Sequence, residues 1–183
     1  MASFILSNFG ITATVINSSH ISTTDFNQFN SSITDGDQSS GYYSAISSYV
    51  GKFEDFVSRG GIALYQSATQ GDNISLVGGV QVLYPYFDSY NNILLPNHPI
   101  VQGLSSPLNG NWANHTILSN LPGGALVITE TSTSHLPTTA EYHYGAGLVI
   151  ATGMTWEYLN YNGYAGGAMM YNAISYALNV QLT

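Results

Sequence analysis

The amino-acid sequence predicts a three-layer α/β sandwich: a mostly parallel sheet flanked by helices, with an antiparallel hairpin near the C-terminus. Three observations predict it. Tyr43, Ile46, Tyr49, Val50, Phe53, Phe56 and Val57 recur at three- and four-residue spacing, the pattern of a helix with one buried face. Gly60-Gly61 stops that pattern, and the apolar run Ile62, Ala63, Leu64, Tyr65 follows at once, which is the helix-to-buried-strand step of a βαβ unit. Farther along, residues 140–144 and 148–152 flank Gly145-Ala146-Gly147, and two strand-like runs across a glycine turn pair as a hairpin.

The remaining elements follow in order. Phe4, Ile5 and Phe9 form one short helical face that Gly10 closes. Ile11, Ala13 and Val15 alternate with Thr12 and Thr14, so residues 11–16 read as a strand. Residues 25–29 read as a helical turn, and Ile33 ends a weak strand that runs into Asp35-Gly36-Asp37. Ser39 or Ser40 is placed to cap the main helix, residues 40–59. The middle, residues 71–120, is loop-rich with one strand at 80–83, and residues 126–129 form another. Met169, Met170, Ala173, Ile174, Ala177 and Leu178 define a last helix. No internal repeat and no long linker divides the 183 residues, so a single domain is expected. Right-handed crossovers place the strand ends, and any site, along one edge of the sheet.

Composition excludes several functions. Only 7% of residues are charged, Lys52 and Arg59 are the only strong bases, and the formal net charge is −8. A phosphate-binding face needs clustered Lys and Arg, so nucleic acid is not an expected partner, nor is an anionic membrane surface. No apolar run reaches the length of a membrane span, so no membrane insertion is expected. There is no cysteine, which removes disulfides, thiolate metal sites and cysteine catalysis together. The five histidines show no metal spacing, and Gly60-Gly61 and Gly78-Gly79 lack the spacing of a phosphate loop or dinucleotide fingerprint; no metal or cofactor is expected. Residues 1–6 lack the basic start and long apolar core of a signal peptide. Asn-x-Ser/Thr sequons at Asn17, Asn30, Asn73 and Asn114, with a low-charge composition rich in Tyr, Asn, Ser and Thr, set the expectation of an extracellular or cell-surface protein.

A set of motifs resembles one family. They are Asp35-Gly36-Asp37-Gln38; Phe56-Val57-Ser58-Arg59-Gly60-Gly61; His98-Pro99-Ile100-Val101-Gln102-Gly103-Leu104; Asn111-Trp112-Ala113-Asn114-His115; Leu121-Pro122-Gly123-Gly124-Ala125; and a closing stretch from Glu141 through Thr152-Gly153-Met154 to Tyr158. In this order and spacing, from about residue 35 onward, the chain resembles the glutamine amidotransferase-like (ThuA-like) extracellular domains. The resemblance implies their flavodoxin-like sheet. It does not imply their parent reaction. Amidotransferases place a Cys in a sharp turn after the strand that corresponds to residues 62–65, where this chain has Gln66-Ser67-Ala68, and they use a His-x-Glu element that is absent here. The resemblance also implies a strand ahead of the first helix; residue 1 falls almost inside that helix, so the expectation is that this strand is missing, that residues 1–6 are themselves the strand, or that the chain is a fragment.

Each candidate site residue has a plainer role beside its functional one. Ser67 stands where a nucleophile elbow would lie, but the elbow glycines are replaced by Tyr65 and Thr69; His98, His115 or His143 would have to activate it. Asp35 and Asp37 flank one glycine at a strand end, as an acid/base or cation pair or as a turn leading into a helix. Glu157 beside Trp156 follows the strand at 148–152, as a general acid, a sugar-binding corner or a helix-start carboxylate. Gln66, with Asp35, Trp156 and Glu157, completes the candidate ligand-binding set. Tyrosine clusters at 84–90 and 158–164 suit sugar stacking or an interface. Three functions remain open: a non-catalytic binding or structural module that self-associates into filaments or a surface layer; a hydrolase of esters or glycans using Ser67 or the Asp37/Glu157 pair; and a carbohydrate-binding domain. For self-association, the alternating tail Asn179-Val180-Gln181-Leu182-Thr183 is a candidate to donate a strand to a neighbouring copy.

Overall fold

A computed structural model describes residues 1–180 of the chain. The helices are α1 (Ala2–Phe9), α2 (Ser40–Ser48), α3 (Val50–Ser58), α4 (Trp156–Tyr161) and α5 (Ala168–Val180). The strands are β1 (Ser31–Ile33), β2 (Ile62–Gln66), β3 (Ile74–Ser75), β4 (Gln81–Leu83), β5 (Asp88–Ile93), β6 (Leu108–Asn114), β7 (Ile117–Ser119), β8 (Leu126–Thr131), β9 (Pro137–Tyr144) and β10 (Gly147–Thr152). Seven strands form the main sheet in the order β1-β2-β10-β9-β8-β5-β6, and β3-β4-β7 form a small second sheet. Helices lie on both faces, so the architecture is the α/β sandwich predicted.

The sheet is mixed rather than mostly parallel. Only β1–β2 and β2–β10 pair in parallel; β10–β9, β9–β8, β8–β5 and β5–β6 are antiparallel. The reason lies in the connections. Two residues join β9 to β10, and five join β8 to β9; a parallel return needs a crossover of a dozen residues or more. Residues 71–120, read as loop-rich with one strand at 80–83, contain β3 to β7. β5 and β6 are rich in Asn and pair through buried Asn91 and Asn114, whereas β3, β4 and β7 are short and bury Ile74, Val82, Ile117 and Leu118.

Two apolar cores fill the layers. One joins Tyr43, Ile46, Phe53, Phe56 and Val57 of α2 and α3 to one face of the sheet, including Ala63, Tyr65 and Val149. The other joins Ile5 of α1 and Met169, Met170, Ala173 and Ile174 of α5 to Leu64, Leu148 and Ile150 on the opposite face. β2 is buried on both sides along its whole length, as a strand between two helical layers must be. The long helix expected at 40–59 is broken at Tyr49, whose φ of −106° and ψ of 21° leave the helical region. Ser47-Ser48 precede the break, and serine competes for backbone hydrogen bonds.

The N-terminal region departs further. α1 forms as expected and Gly10 caps it with φ of 68°, a conformation glycine adopts without penalty. Residues 11–16 are not a strand, because no neighbouring strand among the described residues offers them a ladder. Asn179 and Val180, the start of the proposed donor tail, are the last residues of α5, and residues 181–183 lie outside the described residues. No described helix is long and apolar enough to cross a membrane.

A polar layer runs through the middle of the main sheet. Asn91 Nδ2 donates to Asn114 Oδ1 at 2.9 Å, and Asn91 Oδ1 accepts from Thr138 Oγ1. Thr129 and Thr138 hydroxyls lie 2.9 Å apart, as do those of Thr139 and Thr152. All six are fully buried, so each bond is worth more than at the surface, and each orphaned partner would cost more. This layer ties β5, β6, β8, β9 and β10 together just beneath the sheet edge that carries the candidate site. It also corrects one sequon: the Asn114 side chain is buried, its Nδ2 donates to the Tyr86 and Thr116 carbonyls and its Oδ1 accepts from Asn91 Nδ2, leaving no amide free for a glycan.

Candidate functional site

The C-terminal ends of β1, β2 and β10 converge on a cleft of about 260 Å³. Its wall is built from the loop after β1 (Gly36, Asp37), the loop after β2 (Ala68, Gln70), the β6 end and its turn (Trp112, His115), and the start of α4 (Trp156, Glu157, Tyr158). The loop after β1 is pinned by α2: the Asp35 N–H donates to Tyr42 Oη at 3.0 Å, and the Gln38 N–H to Tyr43 Oη at 3.4 Å. Burial pushes the Tyr43 phenol up to about 12 and Tyr42 higher still, so both stay protonated and neutral. Asp37 adopts φ of 50°, which aspartate tolerates, and its Oδ1 accepts from Gln70 Nε2 at 2.9 Å.

Glu157 closes the far side. Its Oε1 accepts the Gly36 N–H at 3.3 Å, linking the first turn of α4 to the loop after β1. Burial, then the neighbouring Asp35 charge, holds its carboxyl above the ordinary carboxylate range. His115 is held below the ordinary imidazole range, chiefly by burial, so it is neutral at neutral pH. Trp156 is fully buried and its Nε1 has no hydrogen-bond partner among the described residues; the same is true of His115 Nδ1 and Gln66 Oε1. Buried polar atoms are nearly always paired in folded proteins, and Trp156 and His115 both line the cleft.

Trp112 supplies the aromatic wall. It is 50% exposed and held by Phe87, whose ring lies 4.6 Å away at 79°. Its φ is 61°, a true outlier for a bulky residue. Sequence reasoning missed Trp112 and Gln70. The one signal for Trp112 was its place in Asn111-Trp112-Ala113, where a large apolar residue interrupts a polar strand; its left-handed backbone has no sequence mark.

The structure thus gathers Asp35, Asp37, Gln66, Trp156 and Glu157 around one cleft, with Asp35 and Gln66 just behind its lining. Ser67 is different. It is 1% exposed, its N–H donates to Thr152 O at 2.7 Å, and its carbonyl accepts from Thr116 Oγ1 at 2.8 Å. Among the described residues Ser67 is not one of those with positive φ, so the strained elbow that exposes a nucleophile is not formed. His98 has other partners: its Nδ1 accepts from the Ile100 N–H and its Nε2 lies 3.3 Å from Glu141 Oε2. No group of three or more His, Asp or Glu side chains among the described residues is arranged to hold a metal ion.

The arrangement of the sheet and its helices is a glutamine amidotransferase-like α/β fold. No family model matches the chain. It is 25% identical over 177 residues to an uncharacterized protein of Clostridium acetobutylicum, covering 94% of this chain and 18% of that protein; the chain spans under a fifth of that relative. Among solved structures it is similar to a cytoplasmic protein of Salmonella typhimurium (TM-score 0.62, 12% identity, 96% of this chain and 85% of that one). It is also similar to a protein named as ThuA-like from Bacteroides uniformis (TM-score 0.55, 11% identity, 95% and 80%). At these identities the likeness is one of fold. The extracellular or cell-surface location expected from composition is corrected here: the first of these structures, and a second from Salmonella typhimurium at TM-score 0.57, are named as cytoplasmic proteins.

Proposed function

We propose that the chain is a non-catalytic binding module whose cleft holds one ring of a neutral carbohydrate. The observation that supports this best is a half-exposed indole, Trp112, lining the same small cleft as the Asp37 and Glu157 carboxylates and the Gln70 amide. A sugar ring needs that combination, an apolar face for its C–H groups and donors and acceptors for its hydroxyls. At about 260 Å³ the cleft falls just short of the ~300–1,000 Å³ of pockets for drug-sized ligands, which suits a single ring. A buried Ser67 without an elbow speaks for binding over ester hydrolysis.

The test is a titration by calorimetry or saturation-transfer NMR against neutral mono- and disaccharides. Binding that weakens about tenfold in Trp112→Ala is expected, since a stacked aromatic contributes about 0.5–1.5 kcal/mol beyond its buried area. Absence of binding to every neutral saccharide at millimolar concentration, or affinity unchanged in Trp112→Ala, would sink the reading.

A further inference from the structure

β6 is bulged beside the cleft. Tyr90 pairs with Asn109 and Asp88 with Asn114, so residues 110–113 stand opposite Ser89 alone. A bulge bends its strand and re-aims the side chains it carries. This one carries Trp112 at its positive φ. The segment leading into α4 holds it: Thr155 Oγ1 donates to Trp112 O at 3.0 Å, and the Thr155 N–H to Ala113 O at 3.0 Å. Strained backbone persists only where its surroundings fix it, and it gathers at ligand sites. Here its effect is to set a large ring, half exposed, at the lip of the cleft.

The lip does not end at Trp112. Phe87 is 44% exposed and stands outside the cleft wall. Its ring centre lies 4.6 Å from that of Trp112 at 79° and 5.3 Å from that of His115 at 75°. Tyr84 follows on Phe87 at 5.4 Å and 89°. Since Trp112 and His115 line the cleft, an aromatic ridge continues out of it. Single exposed aromatic residues are ordinary, but contiguous apolar surface that begins at a cleft marks a path for a ligand.

The chemistry of the ridge narrows the ligand. Neither Lys52 nor Arg59 lines the cleft, so the phosphates of a nucleic acid find no partner. Successive rings stand nearly perpendicular, so they offer turned faces and no flat platform for stacked bases. A saccharide chain suits turned faces: each unit has an apolar C–H face, and the linkage between units rotates. The cleft itself, at about 260 Å³, takes one unit, and a longer chain has to leave over a lip.

We propose that the ligand is a neutral oligosaccharide, with one ring in the cleft against Trp112 and the next packed on Phe87. This rests on the reading of the cleft as a saccharide site, and adds the length of the ligand and its direction of exit. Phe87 is then the residue that selects a chain over a free monosaccharide.

The experiment titrates the full chain by calorimetry with glucose, galactose and mannose and with their linear di- and trisaccharides. The expected result is binding of a disaccharide at least about fivefold tighter than that of its monosaccharide, the worth of one added ring contact. Phe87→Leu keeps apolar bulk against Trp112 but removes the ring face. The ratio of the two affinities should then fall to within about twofold, and Phe87→Tyr should keep the parent's ratio. Taking the ratio cancels any shift of Trp112 itself. Equal binding of monosaccharide and longer sugars by the parent overturns the proposal, needs no variant to fold, and leaves the reading of the cleft standing. A length advantage that persists in Phe87→Leu also overturns it, because the second ring then lies elsewhere. No binding of any saccharide sinks both readings. A dimer in sedimentation velocity that Phe87→Leu dissociates would show that a second copy covers the lip, and overturns the proposal as well.

Discussion

Gly153 is the position at which a single methyl group should do the most damage near the cleft. It follows β10 and leads into Met154, Thr155 and Trp156. A Cβ built there would lie 2.2 Å from Thr116 O and 2.4 Å from Thr116 Oγ1. An ordinary contact is 3.4 Å or more, so the turn after β6 must withdraw by about 1.2 Å (3.4 less 2.2). Three hydrogen bonds hold that turn in place. The Gly153 N–H donates to Thr138 O at 2.7 Å, the His115 N–H to Gly153 O at 3.1 Å, and Thr116 Oγ1 to Ser67 O at 2.8 Å. At about 1 kcal/mol each, their loss costs about 3 kcal/mol. The alanine recovers about 0.4–1 kcal/mol by restricting the unfolded chain. Gly153→Ala should therefore lose about 2–3 kcal/mol in urea unfolding followed by the fluorescence of buried Trp156. Gly51→Ala is the control: it lies in α3, its Cβ would meet nothing within 4 Å, and it should gain up to about 1 kcal/mol. A Gly153→Ala variant within 0.5 kcal/mol of the parent, roughly the scatter of a neutral surface change, would refute the reasoning.

Other outcomes follow from the same geometry. Because burial and Asp35 raise the Glu157 pKa in the folded protein, ionisation costs stability as pH climbs from the unfolded value through the folded one and costs nothing below both. Glu157→Gln should accordingly raise the urea midpoint at pH 8 and not at pH 3; an equal change at both would remove the electrostatic explanation. Asn91→Ala deletes two buried side-chain hydrogen bonds, leaving Asn114 Oδ1 unpaired and the Thr138 hydroxyl with Thr129 alone, so its thermal midpoint should fall by an amount equivalent to about 2–4 kcal/mol; calorimetry showing under 1 kcal/mol would mean that the polar layer re-pairs. Without a thiol after β2, ammonia release from glutamine should not exceed that of a heat-killed sample, and activated esters should be turned over no faster by the chain than by its Ser67→Ala variant.

The sequence by itself determined the layers. Phe53, Phe56 and Val57 at helical spacing, the Gly60-Gly61 stop and the unbroken run from Ile62 impose a helix packed on a doubly buried strand, because those apolar groups have no other way to leave water together. Gly145-Ala146-Gly147 likewise imposed a tight reversal between β9 and β10. It was also enough to gather Asp35, Asp37, Gln66, Trp156 and Glu157 at one sheet edge, since parallel strands feeding helices through right-handed connections end on the same side. Only the tertiary structure decided the rest. Strand directions in the middle of the chain were illegible because β5, β6, β8 and β9 bury Asn and Thr in pairs, and a buried polar pair carries no hydrophobic period. The burial of Ser67 depends on Thr116, 49 residues away, and the left-handed Trp112 on Phe87. Residues 11–16 alternate as a strand should, yet form none: a strand is completed by a neighbour's hydrogen bonds, and no local pattern supplies the neighbour.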